Sequence, residues 1–63
     1  MPNVLVVLAE GFEEMEAIAP IDLLRRAEAE VTIASIGALE LIGRSGIRLT
    51  AEQTLANVED KTF

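Results

Sequence analysis

The chain has 63 residues, 51% of them apolar, with no cysteine, no histidine and a formal net charge of −6. That length allows one small domain at most, and the missing thiols and imidazoles exclude disulfides and a Cys/His zinc site. The acidic balance argues against nucleic acid, no apolar run reaches membrane-spanning length, and no basic-then-apolar leader is visible, so a cytoplasmic location is the expectation.

Asn3 to Ala9 is a continuous apolar run rich in β-branched residues. It does not alternate, which predicts an interior strand of a parallel sheet, buried on both faces. Gly11 breaks it. The next segment, Glu10 to Glu16, holds four carboxylates in seven residues. A helix is predicted from about Glu13 to Glu28, with Glu13 and Glu14 at its positive end and Arg25 and Arg26 at its negative end. Pro20 removes one helical bond and predicts a kinked single helix. At 100° per residue, Glu16, Pro20, Leu23, Leu24 and Ala27 share a face, flanked by Ala17 and Ile21. That face is expected to pack on the sheet and to carry Glu16 toward the apolar side. Met15, Ile18, Asp22 and Arg25 lie opposite.

Glu30 to Ile36 reads as a second strand. Strand, helix and strand make a βαβ unit with parallel strands and a right-handed crossover. The helix-to-strand join, Ala27-Glu28-Ala29, lacks the usual glycine. A non-glycine residue in a left-handed cap costs on the order of 1 kcal/mol, so an irregular cap is expected. Leu39 to Ile42 and Ile47 to Thr50 form a predicted hairpin around Gly43-Arg44-Ser45-Gly46, with both glycines assigned positive φ. Arg44 at the tip is either a solvated turn residue or an anion contact. Thr54 is the expected N-cap of a helical turn through Val58. A two-strand parallel unit plus a hairpin leaves a sheet edge open and a face uncovered. The chain is therefore read as the first part of a larger domain.

The string Val4 to Glu16 containing Gly11-Phe12-Glu13-Glu14-Met15-Glu16, with Pro20 to Ala27 and Val31 to Ser35, resembles the N-terminus of the ThiJ/PfpI superfamily, in its DJ-one-like branch. The resemblance implies a flavodoxin-like α/β three-layer sandwich with a parallel sheet, of which this chain is the N-terminal βαβ unit plus a β-hairpin. Residues 1–63 would be an incomplete portion of a single class I glutamine amidotransferase-like domain, often dimeric. It also implies a nucleophilic cysteine on a strained turn, assisted by a first-helix glutamate that matches Glu16. Gly11 matches the glycine beside that site, where substrate or backbone approaches. Arg25 and Arg26 match a basic pair, Arg44 lies near a hairpin arginine, and Met15 joins them as a weak interface or anion candidate. Glu28 departs from the family's glycine.

Two readings of Glu16 stand side by side. In one its carboxylate snorkels to the edge of the helix–sheet interface. In the other it is a buried carboxyl whose pKa desolvation raises, able to donate to a thiolate or pass a proton to substrate. Glu13 and Glu14 are read as helix-start charges and Glu10 as an exposed loop acid. Asp22 and Arg26, four residues apart, are read as a surface or interface ion pair.

The resemblance implies part of a cysteine-dependent protein acting on reactive carbonyls or as a hydrolase: glyoxalase-, deglycase- or peptidase-like, with a link to thiazole monophosphate biosynthesis. The alternative is a non-catalytic stress-response chaperone, redox sensor or dimerisation module. Either way, no metal or cofactor is expected. The thiol must come from a complementary chain or C-terminal segment, and the complete domain is expected to form a homodimer without nucleic acid or membrane.

Overall fold

The computed structural model describes residues 2–63. Strand β1 (Asn3–Leu8), helix α1 (Glu14–Arg26) and strand β2 (Glu30–Ser35) form the expected βαβ unit. The two strands are parallel and in register from Asn3↔Glu30 to Leu8↔Ser35. Backbone bonds prolong the ladder beyond both ends, from the N–H of Glu30 to the Pro2 carbonyl at 2.8 Å and from Ile36 to Leu8 at 2.9 Å. The hairpin is present as β3 (Glu40–Ile42) and β4 (Arg48–Thr50), with Leu41 opposite Leu49.

A third strand, β5 (Gln53–Thr54), lies parallel to the far side of β2 and gives the order β1-β2-β5. Two residues carry no periodicity, so sequence pattern does not reveal it. Its pairing is extended by Glu52, whose N–H donates to the Ile33 carbonyl while its Oε1 accepts from the Ile33 N–H. One oxygen of this side chain thus stands where a neighbouring strand's carbonyl would be. Helix α2 (Leu55–Val58) follows with Thr54 at its N-cap, although the threonine side chain makes no capping bond.

The core lies between α1, the hairpin and one face of the sheet. Leu8, Ile21, Val31, Ile33, Leu41 and Ala51 are buried together, with Val4, Val6, Phe12, Ala17 and Leu24 packed against them. Even-numbered β1 residues and odd-numbered β2 residues face this core, as strand alternation requires. Among the described residues the opposite face is covered only by the single turn of α2, whose Val58 is buried. Val7 remains 42% exposed. The expectation that β1 is buried on both faces is therefore corrected for this chain: only one of its faces packs against a full-length element.

Helix α1 is continuous through Pro20. Its packed face differs from the one predicted. Ile21 is buried, Glu14, Ala17 and Leu24 are half-buried, and Glu16, Pro20, Leu23 and Ala27 are exposed. The packed stripe is centred near Ala17 and Ile21, about a third of a turn from Glu16 at 100° per residue. Apolar residues occur all round this helix, so its periodicity admits more than one stripe. Leu23, which drew the prediction toward Glu16, is 65% exposed.

The end of α1 is regular where irregularity was expected. The N–H of Glu28 donates to the Arg25 carbonyl at 3.0 Å and that of Ala29 to the Leu24 carbonyl at 2.9 Å. These are the paired bonds of a Schellman cap. Glu28 occupies the left-handed position with φ 67°, the only non-glycine residue among the described residues to do so. The cap satisfies helix carbonyls while Glu28 bears the conformational cost.

Candidate functional site

The acidic turn sits at the C-terminal end of β1. In open parallel α/β sheets, the carboxyl ends of the strands are where ligands bind. Gly11 has φ 83°, which only glycine adopts without strain. A Cβ at Gly11 would meet no atom of this chain within 4 Å, so the backbone angle is what requires glycine there. Its N–H donates to the Ile42 carbonyl at 2.9 Å.

Three of the four carboxylates are engaged by the hairpin. Glu10 Oε1 accepts from the Ile42 N–H at 2.8 Å. Glu13 pairs with Arg44 at 3.4 Å. Glu14 Oε2 accepts from the N–H groups of Ser45 at 2.8 Å and Ile47 at 3.2 Å. The Arg44 N–H donates to the Phe12 carbonyl at 2.8 Å. Desolvation works to raise the Glu14 pKa. Hydrogen bonds from its own N–H, from Ile47 and Ser45 N–H and from the Ser45 hydroxyl outweigh it and hold the carboxyl below its ordinary value.

Glu10 and Glu14 therefore do more than the loop and helix-start roles predicted for them. Nothing local in the sequence marks this, because their partners lie 32, 31 and 33 residues away. Gly43 also has a role other than the predicted one. It is absent from the positive-φ glycines, whereas Gly46 has φ 90°. Gly43 is buried and lies against the Glu14 carboxylate, where a Cβ would collide with that side chain.

Glu16 is exposed in the first turns of α1, which corrects the expectation of burial against the core. It makes no hydrogen bond or ion pair among the described residues, unlike Glu10, Glu13 and Glu14. Met15 is 83% exposed. It lines a shallow concavity with Glu14, Ile18, Ala19 and Asp22.

The arginines separate. Arg25 is committed within the chain, donating to the Val31 carbonyl at 3.0 Å and to Glu52 at 3.1 Å. These bonds brace β2 from the end of α1. Arg26 pairs with Asp22 at 3.1 Å, four residues apart as predicted. Arg44 pairs with Glu13 rather than standing free. The structure thus gathers Gly11, Glu14 and Arg44 at one junction and places Arg25 and Arg26 at the other end of the helix.

The model of the DJ-1/PfpI family matches residues 2–63. This chain belongs to the DJ-1/PfpI family. Protein DJ-1 homolog A of Arabidopsis thaliana is 49% identical over 63 residues, covering 98% of this chain and 16% of that protein. Protein dj-1beta of Drosophila melanogaster is 39% identical over 62 residues, covering 97% of this chain and 33% of that protein. The structure of oxidized Toxoplasma gondii DJ-1 superposes with a TM-score of 0.97 at 38% identity, covering all of this chain and 35% of that one. The flavodoxin-like fold expected from the sequence is the fold of these DJ-1 structures. The chain spans about a third of the fly protein and the Toxoplasma structure, and a smaller share of the Arabidopsis relative.

Proposed function

We propose that this chain is the N-terminal portion of a DJ-1/PfpI domain that acts through a nucleophilic cysteine, with Glu16 as the acid–base group beside it. The observation that carries the reading is the division of labour among the four carboxylates. Glu10, Glu13 and Glu14 are bound to the hairpin, while Glu16 carries no partner at the carboxyl end of β1. A complementary chain or C-terminal segment would bring the thiol, and packing that segment against α1 would supply the desolvation that Glu16 lacks here. A carboxyl held protonated in that environment donates a hydrogen bond to the thiolate and lowers the thiol pKa.

The chemistry this supports is addition to an electrophilic carbonyl. The cysteine sulfur forms a bond to the carbonyl carbon, the π electrons move to oxygen, and Glu16 delivers the proton. Deglycase-, glyoxalase- and peptidase-like reactions share that first step. The complete domain is read as a cytoplasmic homodimer. Among the described residues, no helix is long and apolar enough to cross a membrane.

The test is Glu16→Gln in the complete domain. The pH midpoint of thiol alkylation should move and carbonyl turnover should fall by about 10²-fold or more, as expected for loss of a general acid. Alkylation kinetics identical to wild type across pH would remove Glu16 from the site. A redox-sensing reading is favoured by one relative, the Toxoplasma DJ-1 described as oxidized. In that case Glu16 would stabilise an oxidised cysteine, and Glu16→Gln would change peroxide sensitivity with no turnover to lose.

A further inference from the structure

The hairpin is tied to the start of α1 by more bonds than a peripheral two-stranded ribbon requires. The Gly11 and Arg44 N–H groups bond across the junction in opposite directions, to Ile42 and Phe12 carbonyls. Glu10 caps the end of β3 through the Ile42 N–H. Glu14 receives two N–H groups from the tip, at Ser45 and Ile47. Gly43 lets that carboxylate approach, since any side chain there would occupy its place. Gly43 does not have positive φ, so nothing in its own backbone conformation requires glycine.

We infer that Glu14 is a positioning residue whose carboxylate clamps the β3–β4 tip onto the first turn of α1, and that proton uptake by Glu14 in acid frees the tip. The two tip amides need an acceptor, and a protonated carboxyl is a weaker one. The charged groups around it are Arg44 from the hairpin, Glu10 and Glu13 from the preceding turn, and Asp22 further along its own helix face. Arg44 is engaged by Glu13, and the other three are acids that repel a second negative charge. The lowered Glu14 pKa fixes the direction. The stability its ionised form contributes is present above the ordinary glutamate value and is lost as pH falls through the lower folded value. This inference is independent of the role of Glu16, because its readout is the hairpin itself.

The experiment follows the Ser45 and Ile47 amide resonances by NMR in the complete domain as pH is lowered. Wild type should show one common midpoint below the ordinary glutamate value. Glu14→Gln, which keeps an acceptor oxygen, should abolish that midpoint without unfolding the domain. Amide exchange at the two positions should accelerate roughly five- to tenfold in Glu14→Ala, the factor set by one ordinary hydrogen bond. Gly43→Ala should produce a similar acceleration in wild type and none in the Glu14→Ala background. Tip amides that do not titrate, or that titrate at the ordinary glutamate value, would overturn the clamp. So would a Gly43→Ala effect that is the same with and without Glu14.

Discussion

Glu28 shows a local conflict that the sequence exposes and the structure resolves. The missing glycine after the helix is visible in the string Ala27-Glu28-Ala29. What the string does not show is which side yields. The Schellman bonds from Glu28 and Ala29 form, Ala29 packs against the core, and Glu28 takes φ 67°. Glycine would remove the clash between Cβ and its carbonyl, and it would also remove a negative charge from the negative end of the helix. Glu28→Gly is therefore expected to raise the unfolding free energy by about 1 kcal/mol, read from the denaturant midpoint. A lower midpoint would mean that the glutamate side chain has a compensating contact. Glu16 was legible in a different sense. The sequence singles it out by burial, whereas the structure leaves it exposed and, among the described residues, without a side-chain partner. Three neighbours are occupied by a hairpin some 30 residues later, a fact no local window contains.

At the scale of elements, the βαβ unit and the hairpin follow from composition and period, because β-branched apolar runs and paired glycines have few alternative readings. The rotation of α1 about its axis does not. Apolar side chains at Met15, Ile18, Leu23 and Ala27 lie outside the stripe that this chain buries. Strand β5 escapes for the opposite reason: its two residues pair with Ala34 and Ser35 of β2 but are too few to show a period, and the neighbouring Glu52, bonded to Ile33 and Arg25, reinforces the pairing. Pro20 gives an element-scale prediction. It lies inside a helix that begins at Glu14, so the Glu16 carbonyl lacks its fourth-residue donor. Pro20→Ala restores that donor and a good helix former at an exposed position. The expected gain is about 1–3 kcal/mol in the 63-residue chain, measured by urea unfolding alongside helical circular dichroism. No gain would show that the proline ring makes up the lost bond through contacts of its own.

At the scale of the whole molecule, surface area gives the sharpest argument. The chain exposes 4359 Å², whereas a compact monomer of 6.8 kDa is expected to expose roughly 4,000 Å². Its Cα extents are 33 × 25 × 12 Å, a slab whose second helical layer is a single turn. The excess is apolar in part: Met15, Leu23, Ile36 and Ile47 are each more than half exposed. Within the described residues β1 pairs with β2 alone, leaving its other edge without a strand. An open strand edge and dispersed apolar surface favour association with further chain. The 63-residue chain is therefore expected to bind a hydrophobic dye and to associate as its concentration rises, as followed by sedimentation. A segment corresponding to the remainder of a DJ-1/PfpI domain should suppress both effects and raise the thermal midpoint through binding to the folded form. A chain that stays monomeric, dye-silent and cooperatively folded at all accessible concentrations would show that the α1–hairpin core suffices by itself. Glu16 would then have to act without the covering segment proposed for it.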